Sequence, residues 1–202
     1  MDLEDVSVLH PQTRRHLLNN QRLRDAAIRE FAQHGLHGAK VGNIVAAAQL
    51  TQPSFYRMWP SKAQAFDEIV EQTVTQWLQV AASILSRPES CPLSIRIQSG
   101  LEQLFDCLLR DPPLTQMVIL VKHHNEEMHD RFLTAYTGAI GQAQEQGYVT
   151  SEQEARSLAL AYYGLVEQFF YAHLYQQHRE PGSTIKTLAH LIFLVMKKET
   201  ST

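Results

Sequence analysis

The feature that most constrains the fold is the period of the apolar residues. They recur at three- and four-residue spacing along nearly all 202 residues, and no window alternates for long with the two-residue period of a half-buried strand. Such a chain buries its apolar stripes by packing helix on helix, so the sequence predicts an all-α fold. A first long helix is expected over residues 12–34, ended through the glycines at 35 and 38. Short helices follow over 41–48 and 52–58, joined by the turn "QLT", with Thr51 placed to cap the second and Pro53 tolerated in its first turn. Ser61 is placed to cap a longer helix over about 62–85. The segment "SRPESCP" (86–92) then leads into a separate helical body, with helices predicted at 93–110, 114–123, 126–145, 151–178 and 183–198.

Charge divides the chain in the same place. Residues 10–62 hold eight Lys/Arg (Arg14, Arg15, Arg22, Arg24, Arg29, Lys40, Arg57, Lys62) against two acids, Asp25 and Glu30. Residues 63–202 hold ten Lys/Arg against sixteen acids. A basic module joined to an acidic one points to a polyanion as the partner of the first. No apolar run approaches the ~20 residues that span a bilayer, and the N-terminus "MDLEDVSVLH" carries acids where a signal peptide carries bases. A cytoplasmic protein with no membrane partner is expected. Two cysteines, Cys91 and Cys107, are too few to staple a chain of this size.

Two short helices separated by a tight turn, preceded by a longer helix and set in the basic segment, are what a helix-turn-helix requires. Its second short helix lies in the major groove and offers its N-terminal residues to base edges. Here Gln52 suits bidentate pairing with adenine, Thr51 and Ser54 suit bases or phosphates, and Tyr56 and Lys62 flank the groove. Ala27, Phe31, Ile44, Leu50 and Phe55 read as core, and Trp59 as a packing residue between the third and fourth helices.

The stretch "LRDAAIREFAQHGLHGAKVGNIVAAAQLTQPSFYRMWPSKAQAF", residues 23–66, resembles the DNA-binding domain of the TetR family of transcriptional regulators. The resemblance rests on Ala26-Ala27, Phe31-Ala32, Gly35, Val41, Ile44-Val45, Tyr56-Arg57-Met58-Trp59 and Pro60-Ser61-Lys62. It implies an N-terminal three-helix helix-turn-helix domain (19–66) behind an N-terminal arm (1–18), and a larger helical effector-binding and dimerisation domain (67–202). The implied DNA-binding residues are Lys40, Thr51, Gln52, Pro53, Ser54, Tyr56, Arg57 and Lys62. The sequence departs from the family pattern at Lys40, Gln49, Pro53 and Met58, where a hydroxyl, a glycine, a glycine and a histidine are common. Arg14 and Arg15, on the arm, are placed to enter a minor groove as homeodomain arms do.

The implied partners are a double-stranded DNA operator, a small apolar effector and a second copy of the chain joined through the last two helices. Those helices are apolar around most of their girth, as helices buried against a partner are. Phe105, Leu109, Met117, Leu120, Phe132, Tyr136, Tyr163 and Phe170 mix aromatics with methionine and are the expected effector contacts. No cofactor, no metal and no catalytic residue is expected. The tract "KHHNEEMHDR" (122–131) is metal-capable but matches no closed ligand spacing, so a metal-dependent hydrolase is the alternative it leaves open. A non-specific DNA-binding protein is the other, and the pI near 6.4 speaks against it.

Overall fold

The computed structural model describes residues 10–83, 91–176 and 181–198. They form helices α1 (Pro11–Gly38), α2 (Val41–Ala47), α3 (Gln52–Met58), α4 (Lys62–Ser83), α5 (Leu93–Leu109), α6 (Pro112–His123), α7 (Glu126–Glu145), α8 (Ala155–Gln176) and α9 (Pro181–Met196). No strand occurs among the described residues, as the single apolar period requires. The helices gather into two units. The first takes the chain up to Val74 together with Pro112–Leu120, and the second takes Thr75–Asp111 and Val121 onward. The division thus falls inside α4 and inside α6.

In the first unit α2 packs on α1 and α3 on α2. Leu23, Ala27, Ile28 and Phe31 of α1, Ile44 of α2, Phe55 of α3, Ile69 of α4 and Trp59 just ahead of α4 are all buried. Phe31 meets Phe66 edge to face at 5.2 Å, and Phe55 lies 5.3 Å from Trp59; such pairs add roughly 0.5–1.5 kcal/mol to area burial. Helix α1 begins earlier than the core demands. Pro11 occupies its first position, where a missing amide costs nothing, and its first three turns lie ahead of Leu23. Arg14 and Arg15, expected on an arm, stand on these helical turns. At its other end Gly35, with φ 64 and ψ 176, interrupts the helix in a region that essentially only glycine occupies, which is why the periodicity stops there.

The second unit packs α7 on α8, α5 on α9 and α8 on α9. Asn125 caps α7 by accepting from the Met128 amide at 3.0 Å, and Glu126 and Glu127 suit its first turn electrostatically. Beyond α7, the Thr150 amide donates to the Met196 carbonyl at 3.0 Å. The buried Arg96 guanidinium sits 4.3 Å from the Tyr148 ring centroid. The predicted helix at 151–178 begins instead at Ala155, because residues 151–153 form bends and Gln144 holds the Thr150 and Gln153 carbonyls with its amide. Its predicted last residues, and those of the 62–85 helix, lie outside the described residues.

Candidate nucleic-acid interface

Helix α3 is amphipathic over only seven residues. Phe55 and then Trp59 point into the core, which leaves Gln52, Pro53, Tyr56 and Arg57 exposed on the opposite face. Tyr56 is 53% exposed, and its ring leans edge-on against Phe55 at 5.4 Å. A large phenol held rigidly yet exposed is placed to meet an external surface. Thr51 is at the N-cap, but its hydroxyl does not take an amide as expected. Its carbonyl accepts the Ser54 amide at 2.9 Å, and its hydroxyl sits 3.2 Å from that of Ser54. The two hydroxyls thus form one polar pair at the start of the helix. Ser61 does cap α4, accepting from the Gln64 amide at 3.1 Å.

The turn between α2 and α3 closes as a Schellman motif: the Leu50 amide donates to the Val45 carbonyl at 2.8 Å and the Gln49 amide to Ala46 at 3.0 Å. That motif needs a left-handed residue, and Gln49 supplies it at φ 56. The same motif closes α7, where the equivalent residue is Gly147 at φ 77. Arg22 reaches across from α1 and donates to the Gln49 side chain at 2.6 Å, fixing a residue whose backbone is strained. Relieving left-handed strain returns roughly 1–2 kcal/mol, less the freedom glycine gains when unfolded and the forgone hydrogen bond to Arg22. Gln49→Gly is therefore expected to stabilise the fold by about 0.5 kcal/mol, whereas Gln49→Val, a β-branched residue forced left-handed, costs about 1 kcal/mol or more. Denaturant midpoints of the two variants, lying on opposite sides of the parent, check this.

The junction before α2 is organised by two residues. Glu30 accepts from the Lys40 amide and from the Asn43 side chain, both at 3.0 Å. The Lys62 ammonium donates to the carbonyls of His37 at 3.1 Å and Ala39 at 2.8 Å. Lys62 therefore braces the α1–α2 connection with two of its three donors, a role that its expected place beside a phosphate does not include. Lys40 itself is exposed at the N-cap of α2. Nothing in the sequence marks Arg22 among the other cations of α1. The one signal for Glu30 is its rarity, as one of two acids among 53 residues of a basic segment.

The residues expected to meet an effector divide. Phe105 and Phe170 touch edge to face at 5.4 Å. Phe132 stacks on Tyr163 at 6.3 Å, and Tyr136 lies 5.8 Å from Tyr163 and 4.9 Å from Tyr162. All of these rings are buried, and Leu109 is half-buried. Met117 and Leu120 belong to the first unit instead, and Leu120 is 50% exposed, because on α6 the buried positions are Thr115, Met117 and Val118. The hydroxyls of Tyr162 and Tyr163 are buried without a hydrogen-bond partner among the described residues. Burial pushes the phenols of Tyr136, Tyr162 and Tyr163 up, so all three stay neutral at physiological pH. Tyr162, part of the apolar stripe in the sequence, thereby joins the polar atoms of this aromatic body.

Lys122, His123, Asn125, Glu126, His129, Asp130 and Glu167 line an open cleft of about 440 Å³ in the second unit. Among the described residues no three His, Cys, Asp or Glu side chains converge as metal ligands would. Cys91 and Cys107 are free thiols.

Comparison with known proteins agrees with this geometry. The family model for bacterial regulatory proteins of the tetR family matches residues 23–69. YdgC of Bacillus subtilis, described as an uncharacterized HTH-type transcriptional regulator, is 27% identical over 180 residues, covering 88% of this chain and 92% of its own length. The HTH-type transcriptional repressor SCO4008 of Streptomyces coelicolor is 24% identical over 145 residues, 68% of this chain and 70% of its own. Among solved structures, the triclosan complex of SmeT, the repressor of the SmeDEF efflux pump of Stenotrophomonas maltophilia, superposes with a TM-score of 0.72 at 15% identity. That match covers 90% of this chain and 92% of SmeT. The helix-turn-helix motif, its family model and the full-length likeness agree: residues 23–69 match the bacterial regulatory proteins of the tetR family, and most of the chain is similar to HTH-type transcriptional regulators.

Proposed function

We propose that the protein is a sequence-specific repressor that leaves a palindromic operator when a small, mostly apolar effector binds its helical body. The observation that carries the DNA half is the exposed polar face of α3, Gln52 to Arg57, set on a rigid core within a segment of eight cations and two acids. Gln52 reads a base, Thr51, Pro53 and Ser54 shape the start of the helix against base edges, and Lys40, Tyr56, Arg57 and the third donor of Lys62 meet phosphates. Two half-sites call for two copies. The outer faces of α8 and α9, with Leu160, Tyr171, Leu194 and Val195 exposed, support a homodimer through these helices.

The aromatic body of Phe105, Phe132, Tyr136, Tyr163 and Phe170, extended by Tyr162, supports an effector that is largely apolar with a hydrogen-bonding group for an unpartnered phenol. SCO4008 carries the name of a repressor and SmeT binds triclosan, which fits repression relieved by an apolar ligand. Such release requires the effector to bind the DNA-free arrangement more tightly. The working place of such a protein is the cytoplasm, where DNA and metabolites meet it.

The test is selection of bound genomic fragments by the purified protein at about 150 mM salt, where non-specific contacts are weakened. A palindrome should be recovered. Gln52→Ala is expected to lose discrimination of about 1–3 kcal/mol at one base pair per half-site, read by comparing affinities for operator and singly substituted operator. Equal affinity of the parent protein for operator and random DNA would overturn the reading.

A further inference from the structure

We infer that the cleft lined by Lys122, His129 and Glu167 is a binding site for a lipophilic ammonium, whose charged head takes the place that the Lys122 side chain fills in this structure. The inference rests on the effector reading above and names the charge of that effector. Lys122 and His123 close α6, Glu126, His129 and Asp130 lie in the first turns of α7, and Glu167 comes from α8. The volume of about 440 Å³ falls within the roughly 300–1,000 Å³ of small-molecule sites.

Lys122 itself shows what the site takes. Its side chain is a flexible four-carbon stem ending in an ammonium, and it is only 10% exposed. The ammonium lies 2.7 Å from the Glu167 carboxylate, 4.8 Å from the centre of the Tyr163 ring and 5.6 Å from that of Phe132. Aromatic faces beside a carboxylate suit an organic ammonium, since the rings attract the charge and the carboxylate pairs with it. His129 packs edge-on against Tyr163 at 4.9 Å and brings a further ring to the same place. A ligand with an apolar tail and an ammonium head thus matches contacts that the chain already makes with its own lysine.

The sign of the ligand's charge follows from the lining. It carries three carboxylates, Glu126, Asp130 and Glu167, against one lysine, which favours a cation over an anion and draws it toward the cleft. Glu126 and Asp130 are exposed. Once an incoming ammonium holds Glu167, they receive the displaced Lys122 head in water, so neither charge of the original pair is stranded. Burial first, and the Glu167 charge second, raise the Tyr163 phenol, so this carboxylate acts on the aromatic body as well as on Lys122.

The experiment titrates 4-phenylbutylammonium, 4-phenylbutyrate and 4-phenylbutanol, three probes with one apolar tail and different heads, into the full-length protein by calorimetry at about pH 7.5, where the amine is protonated. The ammonium should bind about tenfold more tightly than the other two, the worth of a hydrogen bond to a charged group. Lys122→Ala keeps the helix and empties the lysine's place. The ammonium should bind this variant about tenfold more tightly again, with no lysine to displace, and at equal concentration should raise its thermal midpoint more than that of the parent. Lys122→Ala/Glu167→Gln should bind the ammonium and the alcohol alike. Equal or tighter binding of the carboxylate by the parent would overturn the inference, and that comparison needs no variant. So would an ammonium affinity unchanged in Lys122→Ala, or a preference for the ammonium that survives in the double variant. Failure of the effector reading is a different result, in which the ammonium binds with these preferences while operator affinity is the same with and without it.

Discussion

Trp59→Ala is expected to cost the helix-turn-helix unit about 3–5 kcal/mol, the usual toll for truncating a fully buried large aromatic. The indole is 1% exposed and packs against Phe55, the residue that fixes the inward face of α3. Removing it leaves a cavity where the short helix, with only seven residues, has few other anchors. A loss of this size is a large share of the 5–15 kcal/mol that holds a typical domain together, so operator binding should fall with the folded fraction. Trp59→Phe separates packing from polarity. The indole Nε1 is buried without a partner among the described residues, and phenylalanine deletes that donor while keeping most of the volume. Its cost should stay below about 1.5 kcal/mol. Urea unfolding of both variants decides the matter: equal midpoints for alanine and parent would mean that Trp59 does not hold α3.

The second large effect is expected at Lys122. Its ammonium lies 2.7 Å from Glu167 and is centred 4.8 Å over the ring of Tyr163 and 5.6 Å from that of Phe132. Its side chain is only 10% exposed and that of Glu167 21%. Breaking one side of a fully buried pair costs about 3–5 kcal/mol, and the partial exposure of Glu167 lets water offset some of it. Lys122→Met, which keeps the stem against the aromatics, should then cost about 2–3 kcal/mol, most of it from the stranded carboxylate. The double variant Lys122→Met/Glu167→Gln removes both charges and should recover at least half. A double variant no more stable than the single one would show that the loss comes from the ammonium over the Tyr163 and Phe132 rings and not from a stranded carboxylate.

Both predictions concern residues whose place is unequally visible in the sequence. The helical pattern is legible throughout because burial against other helices imposes one period, and α3 and α7 fall where the periodicity puts them. Phe55 and Trp59 are readable as core because the residues between them, Tyr56 and Arg57, are polar or amphipathic. The exposed Gln52–Arg57 face follows from the same spacing. What cannot be read are contacts between residues far apart in the chain. The Lys62 brace on the His37 and Ala39 carbonyls spans more than twenty residues, and nothing in "PSK" distinguishes a lysine aimed at backbone oxygens from one aimed at phosphate. The Lys122–Glu167 pair spans more still, and in the sequence Lys122 merely opens a polar tract. Leu120 misleads because its neighbours Met117 and Val121 are apolar, although its own direction on α6 leaves it half exposed. Gln49 is the intermediate case: it stands where a turn glycine is common, and the structure holds it at φ 56, steadied by Arg22.

The chain has two tryptophans, and each of the two units contains one: Trp59 beside Phe55 in the first, Trp77 beside Phe132 in the second. Both indoles are buried, so both will emit toward the blue when folded and shift red as their surroundings open. Trp77→Phe leaves a protein whose emission reports the DNA-binding unit alone, and Trp59→Phe one whose emission reports the helical body. The molecule thus carries its own pair of optical reporters, through which changes in the two units become separately visible without any attached dye.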